Sequence, residues 1–309
     1  MHHNFSEQYP YLVSTMHHSD DHEATIKEIN SKELILPSRF DLMAKLLFLD
    51  GINQKIDTYK GTHIYKAHLQ SFGGGTIREP GNPDKKSLEN FIDVFLAIYH
   101  ELKELPLNST ICTSKPVPVD MNYMLLDGSH RCSCAFDLHH TICVYHLHHY
   151  HFLYRYDYYF FRNRFLQLSI LLEMAKKYVQ VKETALYVIA FKQTFFISKY
   201  MVEYRIRNKL QPVITWFDQN QLYLITDQSI TSNDEIIELI EDSKLMLLSK
   251  TAETKQIQNI IDLYLAKAII YDRRFFILYR IGLFFLYCYT TLLNAVKLIM
   301  KKPVIRKRK

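Results

Sequence analysis

Apolar residues in the first third of the chain recur at helical spacing in two segments. In residues 87–101 they fall three or four positions apart behind a serine, which predicts a helix with a serine cap. The segment 38–50 has the same period, and Ser38 and Asp41 are spaced as in a capping box. A helix of about three turns is therefore expected there, followed by a shorter helix over 64–69.

Later in the N-terminal half, the pattern predicts a strand, a tight turn, a helix and a second strand. Short apolar runs at 117–119 and 123–126 are typical of extended chain. The Asp-Gly pair at 127–128 predicts a reversal, a helix is expected from Ser129, and the run 142–145 predicts another strand. A turn between a strand and a helix is a common place for a binding site.

The second half mixes helical patterns with short apolar runs. Helices are expected over 151–178, 234–249 and 254–271, and strands over 184–191 and 221–226. This pattern is typical of an α/β (α+β) protein with a small N-terminal domain and a mainly helical C-terminal region. A change in composition near residue 150 predicts four parts: a loose N-terminal arm (1–22), the small domain (23–150), a mixed, mainly helical region (151–272), and a hydrophobic helix with a basic tail (273–309).

Composition places the chain among proteins that bury a core. Of its 309 residues, 48% are hydrophobic and 23% are charged, which excludes disorder over most of the length. The formal net charge is +6, but seven of the 38 basic residues lie in the last thirteen positions, which contain no acid. Removing these seven leaves 31 basic residues against 32 acidic ones. A nucleic-acid surface over the body of the protein is therefore disfavoured, and DNA is not an expected partner.

The end of the chain carries the strongest membrane signal. Residues 275–300 are largely apolar and a basic tail follows them, but only the 16 residues 281–296 are free of charge. As a helix they would extend about 24 Å, which is short of a hydrocarbon core of roughly 30 Å. We expect residues 273–309 to contact the cytoplasmic membrane face, either lying in the interface or spanning it. A buried C-terminal helix followed by a solvated tail is the alternative.

Cysteine usage and the N-terminus bear on the compartment. The five cysteines form no regular framework, and no basic segment followed by an apolar stretch opens the chain. Thiols that need not pair are typical of a reducing environment. The expected localisation is therefore cytoplasmic, peripheral to or anchored in the cytoplasmic membrane.

The clearest chemistry lies in the turn Asp127-Gly128-Ser129-His130-Arg131. A helix that begins here presents unpaired N–H groups and the positive end of its dipole, which favours an anion. Arg131 can fork onto phosphate or carboxylate, and His130 can act as an acid or base near neutral pH. Asp127 can take a proton or hold a metal-bound nucleotide. The alternative is a solvated turn whose aspartate caps the helix.

The sequence around this turn resembles a known superfamily. The stretch VPVDMNYMLLDGSHRCSCAF is similar to the signature of the ParB/sulfiredoxin-like superfamily, in which a strand ends in a turn that opens a helix and grips nucleotide phosphates. Upstream, SRFDLMAKLLF, IYKAHL, the REPG loop and KKSLENFIDVF resemble a bacterial branch encoded among cell-surface polysaccharide genes. The resemblance covers residues 30–150 and implies a small ParB/sulfiredoxin-like domain. Its phosphate-binding turn would consist of Gly128, Ser129, His130 and Arg131.

The resemblance also implies a reaction. Some members of the superfamily phosphorylate small hydroxyl compounds with a nucleotide and a carboxylate base. The implied cofactor is a nucleoside triphosphate or diphosphate with Mg²⁺, and the implied partners are that nucleotide and a small hydroxyl or sugar substrate. Asp127 and His130 would be catalytic, Asp127 would also hold the metal, and Glu79 in the loop after 64–69 is a candidate base.

Two departures from the superfamily narrow the expected function. Sulfiredoxins carry a reactive cysteine immediately before the His-Arg pair, where this chain has Ser129, so cysteine-sulfinate reduction is disfavoured. The second arginine and the helix-turn-helix domain of the chromosome-partitioning members are not evident. The leading hypothesis is a nucleotide-dependent phosphotransferase or related phosphate-handling enzyme in cell-surface glycan metabolism. The alternatives are a non-catalytic nucleotide or sugar-phosphate binding protein docked at the membrane and, more weakly, a ParB-like DNA-binding protein.

Two further clusters have simpler interpretations. Histidines crowd residues 139–151 without a C-x-x-C or H-E-x-x-H frame, which favours aromatic packing and surface positions over structural zinc. Arg39, Asp41 and Lys45 lie along the first helix, where Asp41 and Lys45 are expected to form an intrahelical pair rather than a site.

Overall fold

A computed structural model describes the chain in segments between residues 5 and 266. The described residues are 5–13, 24–78, 85–112, 115–152, 155–164, 166–191, 203, 206–207, 212–218, 221–227, 245–251 and 253–266. Two sequence predictions, the catalytic role of Glu79 and the membrane contact of 273–309, concern residues outside this set.

The N-terminal half is organised around one strand, β4 (Thr141–Leu147). On one side β4 pairs antiparallel with β1 (Ala24–Asn30), and on the other it pairs in parallel with two short strands, β2 (Thr110–Ile111) and β3 (Val117–Val119). β2 meets the beginning of β4 and β3 meets its second half. Residues 142–147 of β4 are all buried, as expected for the central strand of a sheet covered on both faces.

Helices cover this sheet and continue into the second half. They are α1 (Phe5–Gln8), α2 (Pro10–Val13), α3 (Asp41–Ile52), α4 (Thr58–Phe72), α5 (Leu88–Lys103), α6 (Ser129–Asp137), α7 (Tyr158–Asn163) and α8 (Leu168–Val181), with a 3-10 turn over Ser31–Leu34. A second, antiparallel sheet follows, formed by β5 (Ala185–Phe191), β6 (Ile214–Asp218), β7 (Gln221–Thr226) and β8 (Leu245–Thr251) in the order β6-β7-β5-β8. Residues 254–266 are helical. Helices and two sheets together confirm the predicted α/β class.

The helix α3 is the centre of the core. Its residues 41–51 are all buried, because α4, α6 and α8 pack around it. Glycines let α4 approach closely: a Cβ at Gly61 would lie 2.8 Å from the carbonyl oxygen of Leu47, so any side chain there would force the helices apart. The core is continuous across residue 150, since Phe40 contacts the rings of Tyr158 and Tyr178 at 6.2 and 6.3 Å.

Several helices and strands appear where the sequence predicts them. Ser87 caps α5 by accepting from the backbone N–H of Asn90 at 3.3 Å, α6 begins at Ser129, and β5 and β7 occupy the two predicted strand segments. The predicted Ser38 cap is wrong: Phe40 occupies the N-cap position of α3 without a side-chain bond, and the Ser38 carbonyl instead accepts from the N–H of Tyr156.

Three other expectations differ from the structure. Residues 123–126 do not form a strand: Tyr123 lies at φ 61°, and Leu125 makes only an isolated antiparallel bridge with Val119. Instead of the single helix expected over 151–178 there are two helices: α7 ends at Asn163 and α8 begins at Leu168. Residues 245–249, part of an expected helix, are strand, because they pair with β5. The conformation of residues 245–249 depends on a pairing partner that is distant in sequence, and a local apolar pattern does not reveal such a partner.

The N-terminal arm is also more ordered than its sequence suggests. Instead of a loose arm over 1–22, residues 5–13 form α1 and α2, and Phe5, Tyr9 and Leu12 are buried against Tyr145 and neighbouring residues of the first sheet. The rings of Phe5 and Tyr145 meet edge-on at 5.6 Å. The three side chains lie four and three residues apart, which places them on one helical face.

Candidate functional site

The predicted turn at 127–131 has the backbone of a helix start. Gly128 lies at φ 76°, a left-handed conformation, and a Cβ there would lie 2.9 Å from a methyl group of Val117 in β3. Glycine therefore allows both the turn and its close contact with the sheet. Because Gly128 is the N-cap of α6, no side chain caps this helix. The N–H groups of its first turn are thus open to an outside acceptor.

The N-terminal arm covers this turn. The Arg131 guanidinium donates to the Tyr9 hydroxyl at 3.2 Å and to the carbonyl oxygen of Lys115. Tyr11 donates from its hydroxyl to Oδ2 of Asp127 at 2.5 Å, and Asp127 Oδ1 accepts from the N–H of Gly128. The hydroxyls of Tyr9 and Tyr11 are therefore hydrogen-bonded to the two charged groups of the turn, Arg131 and Asp127. Sequence reasoning missed this contact, since nothing local links residues more than a hundred positions apart.

His130 connects the turn to the interior. Its Nε2 lies 2.7 Å from the hydroxyl of Tyr65, and its ring packs 4.6 Å from that of Phe95. The packing around the ring desolvates it and, together with the charges of Lys45 and Lys85, lowers the pKa of His130 well below its ordinary value. His130 is therefore neutral at pH 7 and offers one donor and one acceptor nitrogen.

Behind the turn lies a buried triad of charges: Arg39, Asp41 and Lys45. Arg39 donates two hydrogen bonds of 2.8 and 2.9 Å to the carboxylate of Asp41, and Lys45 donates to Oδ2 of the same carboxylate at 2.8 Å. Each of the three residues is no more than 4% exposed. Arg39 also donates to the carbonyl oxygen of Leu125, two residues before Asp127, so the triad holds the chain that leads into the turn.

The charges of the buried triad stabilise one another against desolvation. Burial alone would raise the pKa of Asp41, but Arg39 and Lys45 outweigh it and hold that pKa far below the ordinary range. Burial lowers the pKa of Lys45, Asp41 opposes the shift, and Arg39 adds to it. Two cations thus share one anion, and the excess positive charge has no counter-ion within the triad.

His68 completes the interior part of the site. Neither of its ring nitrogens has a hydrogen-bond partner in the described part of the chain, and its ring packs 5.1 Å from that of Phe161. Burial, followed by the charge of Lys45, lowers the pKa of His68 to about 3. A buried imidazole with unsatisfied nitrogens destabilises the fold. The surrounding packing must therefore hold His68 in place beside the two cations Lys45 and Arg39.

The structure brings the predicted residues Asp127, Gly128, Ser129, His130 and Arg131 together with residues that the sequence did not nominate. Asp41 and Lys45 do form the expected intrahelical pair, but the pair is buried and lies behind the turn. A usable signal was present: four charged residues, Arg39, Asp41, Lys45 and Asp50, stand in or next to a helix that is otherwise almost wholly apolar. A surface pair would be expected among polar neighbours.

The histidines of the predicted cluster pack as expected against aromatic and polar neighbours. His146 stacks on Tyr123 with ring centroids 4.4 Å apart and lies 3.0 Å from Nζ of Lys27. His148 lies 2.8 Å from the hydroxyl of Thr25. These contacts tie the C-terminal half of β4 to β1 and to the loop after β3.

The cysteines correct one expectation. Cys112 and Cys143 form a disulfide, with Cα atoms 5.0 Å apart, instead of remaining unpaired. The pairing depends on β-sheet register, which cysteine spacing did not reveal. Cys132 and Cys134 are free and buried in α6, and burial raises the pKa of Cys132 to about 12. The Cys132 thiol is therefore unsuited to act as a nucleophile.

Two further findings concern the length of the helices and the similarity of the chain to known proteins. Among the described residues, no helix is both long enough and apolar enough to cross a membrane. Comparison of the chain with models of protein families, with curated proteins and with solved structures finds no match.

Proposed function

We propose that this protein is a nucleotide-dependent phosphotransferase or a related phosphate-handling enzyme, and that the 127–131 turn holds the phosphate. One observation carries the proposal: the buried triad, with one more cation than anion, adjoins the turn, since Arg39 bonds the Leu125 carbonyl that leads into it and Lys45 lowers the pKa of His130 at the start of α6, a helix without a side-chain cap. The positive excess of the triad, the guanidinium of Arg131 and the open N–H groups of α6 all favour an anion at the same place.

The mutual repulsion of the cations supports phosphate in particular. Lys45 and Lys85 both depress the pKa of His130, and Lys85 also depresses that of Lys45. Bringing several negative oxygens to this point would relieve that repulsion. The separate oxygens of a phosphate can also accept two parallel bonds from the forked Arg131 and further bonds from backbone N–H groups, whereas a halide offers a single acceptor atom.

The carboxylate at the turn fits the metal that a nucleotide carries. Mg²⁺ is commonly held by one or two carboxylates together with phosphate oxygens and water, and Asp127 supplies a partly exposed carboxylate beside the expected phosphate. When bound, Mg²⁺ would neutralise charge that develops on the phosphate. Tyr11 must release Asp127 Oδ2 for this to happen.

Proton transfer falls to the residues of the turn. Asp41 is saturated by two cations and is a poor base, and the lowered pKa of His130 makes its imidazole a poor base as well. Asp127 is therefore the group at the turn that would accept a proton from an acceptor hydroxyl, while the neutral His130 would act as a hydrogen-bond partner. The acceptor in the proposal is a small hydroxyl compound or sugar. A setting in cell-surface glycan metabolism, with docking through residues 273–309, belongs to the same proposal and depends on the sequence resemblance and the apolar C-terminal segment.

A non-catalytic nucleotide or sugar-phosphate binding protein is the second candidate. One observation favours it: the described carboxylates nearest the turn are both engaged, Asp41 by two cations and Asp127 by the Tyr11 hydroxyl. Binding without conversion of the nucleotide in the presence of candidate sugars would select this function over catalysis.

The test is ligand-induced stabilisation of the wild type and of Arg131→Ala. Nucleotides and nucleotide sugars are screened with and without Mg²⁺ by thermal unfolding, where a ligand at 100 times its Kd stabilises by about 2.7 kcal/mol. We expect a shift in the wild type that is lost in Arg131→Ala, together with an unchanged circular dichroism spectrum.

A matched control is Lys103→Ala. Lys103 lies over the ring of Tyr99, whose hydroxyl bonds Asp137 at the opposite end of α6 from the turn. This variant removes one cation but should keep the ligand shift. Equal affinity of Arg131→Ala and wild type would refute the assignment of the site to the 127–131 turn. The absence of any shift in the wild type would refute nucleotide binding.

A further inference from the structure

Three side chains with metal-binding atoms lie in one row across the first sheet. Glu28 of β1 is directly opposite Cys143 of β4. On the other side of β4, the parallel register pairs Ile111 with Ile142, so Cys112 follows as the neighbour of Cys143. Glu28 of β1, Cys143 of β4 and Cys112, which directly follows β2, are therefore neighbours in one row across the sheet.

The three groups are close enough to share one ion. The two sulfur atoms and a carboxylate oxygen of Glu28 all lie within 4.8 Å of one another. Glu28 and Cys112 are exposed while Cys143 is buried, so the row is open to solvent from one side. In the structure the two cysteines are joined, and the ion site would exist only when they are reduced.

The surroundings orient the carboxylate. The hydroxyl of Thr110 donates to Oε2 of Glu28 at 3.3 Å, and it accepts in turn from Thr141 at 2.8 Å. Glu28 takes part in no ion pair with another described residue. Thr141 and Thr110 thus orient a carboxylate that has no cationic partner among the described residues and that lies beside two sulfur atoms, as outer-sphere groups do around metal ligands.

We propose that the reduced protein binds a thiophilic divalent cation, with Zn²⁺ as the first candidate, through Cys112, Cys143 and Glu28. Zn²⁺ favours four ligands drawn from sulfur, nitrogen and oxygen, so water would take the fourth position. Magnesium and calcium are disfavoured, since both prefer sets made of oxygen.

The two forms of the row exclude each other. A small dithiol gives two electrons and two protons to the Cys112–Cys143 bond, which breaks into two thiols while the dithiol becomes a disulfide. Zn²⁺ then binds both sulfur atoms as thiolates and displaces two protons. A small disulfide that takes two electrons from the two thiolates would become two thiols, re-form the Cys112–Cys143 bond and release the ion, so occupancy of the site would follow the redox state of its surroundings.

The experiment is a metal titration of the full chain in its oxidised and reduced forms. Protein reduced with a dithiol and freed of it under anaerobic conditions is titrated with Co²⁺, whose thiolate charge-transfer absorption reports sulfur ligation, and then with Zn²⁺ against a chromophoric chelator. We expect one equivalent to bind the reduced protein and none to bind the oxidised protein.

Variants test each ligand. Cys112→Ser should weaken binding by more than the roughly 10–100-fold that changes outside the first coordination sphere produce, and Glu28→Gln should weaken it while leaving the charge-transfer band in place. Matched controls are Cys134→Ala, which removes a buried thiol from α6, and Glu33→Gln, which removes an exposed carboxylate near β1. Both should bind as the wild type does.

Three outcomes would overturn the proposal. They are failure of the reduced wild type to bind either ion, unchanged affinity in Cys112→Ser, and equal binding by the oxidised form. Because Cys112 is exposed and follows the two-residue strand β2, Cys112→Ser is expected to fold, and its circular dichroism spectrum verifies this.

Discussion

The two layers of the candidate site are held by different forces. The inner layer is the buried triad, whose charges are almost wholly removed from water and hold one another. The outer layer is the 127–131 turn, whose charged groups are held by phenols from a short N-terminal arm. The inner charges are fixed by folding, whereas the outer bonds can be exchanged for bonds to a ligand. Changes in the inner layer should therefore alter stability, and changes in the outer layer should alter binding.

The largest expected effect comes from Asp41→Asn. This change leaves Arg39 and Lys45 buried without their shared anion, and we expect the free energy of unfolding to fall by about 3–5 kcal/mol. Urea denaturation followed by circular dichroism measures it. The control is Glu173→Gln, which breaks the more exposed pair with Lys60 and should cost about 1 kcal/mol or less. A loss for Asp41→Asn no larger than the control's would mean that the triad is hydrated and that the contrast between layers fails.

The next effect is a pH dependence carried by His68. Because its pKa in the folded protein is lowered to about 3, the unfolded chain takes up a proton below pH 6.5 that the folded protein does not. This contribution to stability is fully present above pH 6.5 and is lost as the pH falls toward 3. Between pH 7 and pH 5 the loss amounts to about 2 kcal/mol.

The variant His68→Leu isolates this contribution. Its free energy of unfolding, measured in urea at pH 5, 6 and 7, should decline less steeply than that of the wild type. His63→Leu on the exposed side of the same helix is the control, and its slope should match the wild type. Identical slopes for the wild type and His68→Leu would show that water reaches the inner layer.

The smallest expected effect concerns the outer layer. Tyr11→Phe removes the bond to Asp127 from a side chain that is 49% exposed, and we expect it to lower stability by about 1 kcal/mol or less. Since a ligand no longer competes with the phenol, its affinity should rise by up to about 5-fold. Calorimetric titration with the Mg²⁺ nucleotide found in the thermal screen measures the change. The exposed Tyr59→Phe serves as control, and weaker binding by Tyr11→Phe would mean that Tyr11 belongs to the binding site.

Sequence reasoning succeeded where structure is decided locally. The Ser87 cap, the start of α6 at Ser129 and the reversal at the Asp127-Gly128 pair all follow from residues a few positions apart. It failed where distant segments meet. Ser38 gave no cap because α3 begins only at Asp41, behind Phe40, while the Ser38 carbonyl pairs with the chain before α7. Residues 245–249 are strand because β5 pairs with them.

The same distinction separates the parts of the site. The 127–131 turn was evident from five consecutive residues, but its neighbours were not. Tyr9 and Tyr11 reach it from more than a hundred positions away, and the pairing of Cys112 with Cys143 requires the register of β2 on β4. The pair of Asp41 and Lys45 was evident from the sequence. Only the packing of α4, α6 and α8 around α3 reveals that the charges of this pair are buried.

The complete burial of α3 has a consequence for how the molecule opens. Its residues 41–51 have no face in contact with water, so the helix cannot fray from one side while its neighbours stay in place. Local excursions of the native state draw on segments with few buried contacts, and α3 lies at the opposite extreme. The charges of the buried triad should therefore meet solvent only in the rare, cooperative opening of the whole core. Their lifetime is then that of the fold itself, while the exposed Tyr11 phenol at the turn can break and re-form its bond to Asp127 many times.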